Sequence, residues 1–402
     1  MGYRSVLLGG GIGGGIGGGI GGGIGGGIGG GIGGGIGGGI GGGIGGGIGG
    51  GIGARVAADP GAVASTRLTI HDAVANYWAP PAGNLHVAWS PDPSDLGYLS
   101  TQRRLSVILG ALTHLFQVSA DADGVVTVGV AGNEICKMTA PSCDELAAQM
   151  SWLRAYADLR ADRMHEILVQ AEDITSAFMA IRPFGMPTRQ DTAEWVALTQ
   201  QIAIIVEMQV KHLLHLPRPA LMSDKLHPVI DSPDHSAYPS GHSTEAFAIA
   251  TILNRLEFDQ SAECGIDADK QVFDLAHRIA VNRTIAGVHY PIDSMAGAAL
   301  GCSIGEAIAA FAKGEKAICF NFQSSQYLKL DKDSKIVANE DFTLANLKKI
   351  VSGTEGQSIG QAPDYVKRHW DKAVNAWAHN AALPPKETPA VSDNSASADQ
   401  GA

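Results

Sequence analysis

Lys211-His-Leu-Leu-His-Leu-Pro-Arg218-Pro219, then Tyr238-Pro239-Ser240-Gly241-His242, then Asn282-Arg283-Thr-Ile-Ala-Gly287-Val-His289-Tyr-Pro291-Ile-Asp293: these pieces of one stretch, 211–293, decide how the chain is read. Lys211 and Arg218 are seven residues apart, almost two helical turns, so both are expected on one side of a helix end. In the second piece, Pro239 and Gly241 make a tight turn just ahead of a helix. Backbone N–H groups there, with the Ser240 hydroxyl, form a cradle for an anion at a helix N-terminus. His242 enters that helix on the face of Ala246 and Ile249, the inward one. In the third piece, Arg283 continues the apolar stripe of Val272, Ala276 and Ile279. A guanidinium on a buried stripe is costly unless it is paired. Gly287 ends that helix and Pro291 opens the next at its first turn. His289 and Asp293 are four apart, so the carboxylate can accept from one imidazole nitrogen and leave the other basic.

Three fixed cations, a cradle of amides and a hydroxyl, and two histidines suit a tetrahedral oxyanion such as phosphate. One histidine supplies an in-line nitrogen and the other handles a proton at the opposite apex. The spacing of these pieces resembles that of the type 2 phosphatidic acid phosphatase and vanadium-dependent haloperoxidase superfamily. Its pattern is KxxxxxxRP, then PSGH, then SRxxxxxHxxxD. Asn282 stands where that family has Ser.

The resemblance implies that Lys211, Arg218, Ser240, Gly241 and Arg283 bind the oxyanion. In a phosphatase His289 would attack phosphorus, His242 would protonate the leaving alkoxide and Asp293 would orient His289; no cofactor is required. In a haloperoxidase His289 would be the axial ligand of a vanadate cofactor, with peroxide and a halide as substrates. Bromoperoxidases resemble this chain in carrying a histidine seven residues before the motif histidine, here His235, which makes it a candidate beside the halide. The absence of the membrane spans typical of lipid phosphatases also favours the haloperoxidase-like branch oxidising bromide or iodide. A soluble acid phosphatase acting on phosphate monoesters is the alternative.

Outward from the motifs, helical periodicity dominates, and the resemblance implies an all-α helical bundle. Helices are expected at about 66–78, 100–117, 143–181, 191–215, 242–256, 268–286, 292–312 and 363–379. A hairpin arm is expected near Gly124–Val130, and the proline-rich loop 217–239 is expected to be functional. The Gly297, Gly301, Gly305 ladder signals close helix packing, and no uncharged run after residue 54 reaches the length of a bilayer span. His212, His215, His227 and His165 are expected on solvated faces, and Trp152, Trp195, Trp370 and Trp377 in the core or docking helices.

The ends differ from this body. From Gly9 to Gly53 isoleucine recurs every fourth residue in a GGGI repeat, which glycine's cost makes a poor helix in water. The expected organisation is a disordered low-complexity segment 1–54, one helical domain 55–383 with its motif core at 205–312, and a disordered tail 384–402. A net charge of −11 makes nucleic acid and anionic membranes poor partners. Small-molecule substrates are the expected partners, and oligomerisation and export stay open. None of the five cysteines has CxxC spacing; a Cys136–Cys143 disulfide is one option, free thiols the other.

Overall fold

The computed structural model describes residues 92–324, 328–330, 336–350 and 353–378, with the isolated positions 65, 67 and 70. The GGGI repeat, the tail after 378 and nearly all of the expected helix 66–78 lie outside the described residues. In chain order the elements are α1 (Thr101–Thr113), β1 (Phe116–Ala120), β2 (Val126–Val130), β3 (Asn133–Met138), α2 (Cys143–Tyr156), α3 (Arg160–Glu172) and α4 (Thr175–Ile181). They continue with α5 (Gln190–Leu214), α6 (Pro219–Met222), α7 (Gly241–Phe258), α8 (Ala262–Asp267), α9 (Gln271–Ala286) and α10 (Pro291–Lys313). The last are β4 (Lys316–Cys319), β5 (Leu328–Leu330), β6 (Ile336–Asn339), α11 (Leu344–Ile350), β7 (Thr354–Ser358) and α12 (Asp364–Ala378).

The core is organised on α10. Its sequence is almost wholly small or apolar, and every residue from Pro291 to Ala312 is buried. It is long and apolar enough to cross a membrane by length and composition, which the shorter uncharged run in the sequence did not register, yet the whole of its apolar window is inside the molecule. The glycine ladder explains how α7 lies against it. A Cβ on Gly297 would stand 2.5 Å from the Ser240 carbonyl oxygen, and one on Gly301 would stand 2.3 Å from that of Thr244. Backbone therefore meets backbone, and α10 sets the position of the N-terminal turn of α7. Helices α5, α9 and α12 complete the packing, with Trp195 of α5 edge-on to Trp370 of α12 at 5.1 Å.

The chain is mainly helical, but the all-α expectation needs correction: three small antiparallel sheets flank the helices. The first, β1-β2-β3, contains the expected hairpin; Val126, Val128 and Val130 alternate inward along β2. Ala131 and Gly132 (φ 50 and 81) supply the left-handed turn to β3. Sheets β4–β7 and β5–β6 gave no sequence signal, because their strands are three to five residues long and β4 finds its partner across more than thirty residues. The single helix expected over 143–181 is three, broken by a 3₁₀ turn at Ala157–Leu159 and by Asp173, which leaves the helical region. No glycine or proline marks either break. All five cysteines are thiols.

Candidate active site

The three motifs meet at the end of α5, the start of α7 and the junction of α9 with α10. A pocket of about 540 Å³ opens there, lined in part by Arg218, His235, Gly241, His242, Arg283 and His289. Loop residues Val229 to Pro233 form one of its walls, as expected of the long proline-rich segment.

His289 and Asp293 sit as their spacing predicts. Gly287 ends α9 in the left-handed region (φ 84), and Pro291 starts α10. The Asp293 carboxylate faces back over that first turn. Its Oδ2 lies 2.9 Å from the Tyr290 N–H and 3.1 Å from His289 Nδ1. The other ring nitrogen, Nε2, lies 2.9 Å from Arg218 Nη1. A guanidinium only donates. Nε2 is therefore the unprotonated acceptor, and Nδ1 carries the proton given to Asp293. Burial, with Arg218 and Lys211 nearby, holds the imidazole well below its ordinary pKa, so it is neutral and nucleophilic. Burial pushes Asp293 upward, against the hydrogen bond from Tyr290.

Arg218 lies beyond α5, not on it, because the helix ends at Leu214 with His215 in the left-handed region. Its guanidinium also donates to the carbonyls of His235 and Val288, both at 3.0 Å, and its Nη2 lies 3.1 Å from His235 Nδ1. His235 thus steadies a cation. Burial and the charges of Lys211 and Arg218 bring its pKa down to about 4.

Arg283 is 1 % exposed, and only Nη2 has an acceptor, the Ile167 carbonyl at 2.9 Å. Nε and Nη1 have none, and neither does the buried Ser240 Oγ. Burial lowers the Arg283 pKa to about 10. Such unmatched donors are destabilising without a ligand. Arg283→Met is therefore expected to leave the melting temperature of the ligand-free protein equal or raised, and to abolish the rise that inorganic phosphate gives the native chain. Phosphate affinity should fall about a hundredfold for two lost charge-assisted hydrogen bonds. Calorimetric titration and thermal unfolding with and without phosphate read both effects; an unchanged affinity would remove Arg283 from the cradle.

Two expectations are modified. Lys211 is 1 % exposed and stands behind the cradle: its ammonium donates to the Pro239 carbonyl and, at 3.2 Å, to that of Ser236. It holds the turn, and burial lowers its pKa to about 8. The Ser240 N–H is committed to the Asp293 carbonyl at 2.9 Å, so the cradle's amides begin at Gly241. Asn282 faces α3, donating to Glu166 Oε2 (3.1 Å) and Gln170 Oε1 (2.8 Å), away from the pocket.

His242 Nε2 donates to the Gln170 carbonyl at 2.8 Å, leaving Nδ1 as its second nitrogen. Burial, followed by the Arg283 charge, brings its pKa down to about 3. His212, His215 and His165 are exposed, as expected, and Trp195, Trp370 and Trp377 are buried.

Sequence reasoning missed two carboxylates on the pocket wall, Glu207 of α5 and Glu245 of α7. The signal was present: each is an acid at the edge of an apolar run, 202–206 or 246–250, about one turn from a motif residue.

Residues 194–316 match the family model described as the PAP2 superfamily. The match covers about a third of the chain. Its bounds take in α7, α9, α10 and all three motifs. Members of the superfamily are generally enzymes, mostly phosphatases. Among solved structures, the chain is similar to the first transmembrane PAP2-type phosphatidylglycerolphosphate phosphatase from Bacillus subtilis. The two are 17 % identical over 41 % of this chain and 84 % of that one, with a TM-score of 0.31. No curated protein matches the chain.

Proposed function

We propose that the PAP2 domain hydrolyses phosphate monoesters through a phosphohistidine at His289. The observation that carries this reading is the hydrogen-bond chain Arg218–His289–Asp293. It presents a neutral imidazole with its basic Nε2 at the guanidinium that would hold a phosphoryl oxygen. Arg218, the unpartnered donors of Arg283, the Ser240 hydroxyl and the amides at the start of α7 take the non-bridging oxygens. His289 Nε2 attacks phosphorus, and the P–O bond to the leaving group breaks. The alkoxide takes a proton from His242 Nδ1. Burial first, and the nearby cations after it, keep His242 neutral; a dianionic ester offsets the cations and favours the charged ring, so that His242 takes up its proton with the substrate. Water, giving its proton back to His242, then attacks the phosphohistidine, and phosphate leaves with Nε2 free again.

The cradle fits vanadate as well as phosphate: Arg218, Arg283 and Ser240 would hold its oxygens and His289 Nε2 its metal. Bound so, it would supply peroxide activation for halide oxidation. One sequence feature that favoured that branch has weakened: His235 takes part in holding Arg218, a service any oxyanion needs. The helix Pro291–Lys313 has the length and composition of a membrane span, but its whole apolar window is buried, so it decides nothing between the branches. The PAP2 match supports the phosphatase reading. Full-length protein is expected to release phosphate from an aryl phosphate, with vanadate as a competitive inhibitor. With vanadate, peroxide and bromide, a halogen-accepting dye should stay unmodified. Vanadate-dependent bromination without phosphate release would reverse the assignment.

A further inference from the structure

Two buried groups in the pocket lack partners of opposite kinds. Arg283 has two nitrogens, Nε and Nη1, without an acceptor. Glu207, 4 % exposed, has a carboxylate oxygen, Oε2, without a donor. Lys211, one helical turn further along α5, acts on Glu207 as a nearby charge, yet its ammonium hydrogen-bonds the carbonyls of Ser236 and Pro239 and not this carboxylate. Glu207 also stands close to the cradle: a Cβ on Gly241 would lie 2.5 Å from its Oε1. Any other residue at 241 would displace the carboxylate.

Glu207 is not alone. Glu245, one turn into α7, lines the same pocket and has Oε2 held by Gln200 Nε2 at 2.8 Å. Glu172 of α3 stands exposed at the rim. Carboxylates from three helices, with Asp231 of the loop, thus share the pocket, whose lining lysine or arginine side chains among the described residues are Arg218 and Arg283 of the oxyanion cradle. Burial pushes the Glu207 carboxyl up to about 8 against the charges of Lys211 and Arg218, with Glu245 adding to the rise, and burial raises Glu245 against its bond from Gln200. Both would be stabilised as anions by a cation placed between them. A second anionic group on the substrate would be repelled, and a neutral one would leave Glu207 unmatched.

We propose that the site selects aminoalkyl phosphate monoesters: the phosphoryl group sits on Arg218, Arg283 and Ser240, and an ammonium a short linker away sits on Glu207 and Glu245. The proposal rests on the phosphatase reading for turnover, but recognition can be measured apart from it. Inorganic phosphate bound to full-length protein would be displaced by O-phosphoethanolamine and, separately, by glycol phosphate, the same ester with a hydroxyl in place of the amine. The amine ester should displace phosphate at about tenfold lower concentration, the value of one well-placed buried charge pair. Glu207→Gln and Glu245→Gln should each bring the ratio of the two esters toward one. Glu245→Gln, whose side chain is not among the nearest atoms to a Cβ at Gly241, serves if Glu207→Gln disturbs the Gly241 turn. Equal displacement by both esters in the native protein, or a preference that survives in both variants, overturns the proposal. Phosphate release from the same esters separates the two claims. Amine preference with no hydrolysis of any ester would remove the phosphatase reading and keep the recognition; hydrolysis without amine preference would do the reverse.

Discussion

His289→Ala is expected to abolish phosphate release, lowering kcat by about 10³-fold or more, because no other side chain in the pocket offers a basic nitrogen backed by a carboxylate. Phosphate binding should survive, since Arg218 keeps its bonds to the His235 and Val288 carbonyls and Arg283 is untouched. The native protein, mixed rapidly with radiolabelled ester, should yield an acid-labile, base-stable phosphoprotein that is absent from the variant. Asp293→Asn sharpens the test. Its amide oxygen would keep the place of Oδ2, which accepts from both the Tyr290 N–H and His289 Nδ1, so the tautomer is kept while the negative charge behind the imidazole is lost. That loss should cost about 10–100-fold in kcat without removing the nucleophile. A His289→Ala protein that still turns over at the native rate would end the phosphohistidine mechanism, as would a phosphoprotein formed equally in both.

Gly301→Val is expected to be the most damaging single change outside the pocket. The new Cβ would stand 2.3 Å from the Thr244 carbonyl oxygen and 2.9 Å from the Ala248 N. Both obstacles are backbone of α7, so no side chain can turn aside. Overpacking of a core typically costs about 1–3 kcal/mol, and a clash with fixed backbone belongs at or beyond the upper end. Relief requires α7 to move away from α10, which carries Ser240, Gly241 and His242 with it. Urea unfolding should show the lost stability, and phosphate affinity should fall further than stability alone explains. Gly110→Val on α1, where an added Cβ meets nothing within 4 Å, is the control. Equal midpoints for Gly301→Val and the native chain would refute the packing argument.

The three motifs were legible because each carries its reason in a few adjacent residues. A glycine can stop α9, a proline can start α10, and four residues separate a histidine from the carboxylate that orients it. The glycine ladder was equally plain, since a three-residue gap between side-chain-free positions has meaning only for a helix pressed on another. The small sheets were not legible, because strands of three to five residues carry too little pattern and β4 pairs far away in the chain.

Sequence alone determined which groups could bind an oxyanion and that His289 would be paired with Asp293, since both follow from residue type and local spacing. Tertiary structure decided the rest. It put Lys211 behind the cradle and not in it, because the turn's carbonyls reach its ammonium first. It turned Asn282 toward α3, engaged His235 with Arg218, and left Glu207 and Glu245 facing the same cavity with Glu207 Oε2 lacking a hydrogen-bond donor. Those are relations between helices distant in sequence. Burial and partnership, which set the charge and reach of a side chain, exist only once the helices have packed.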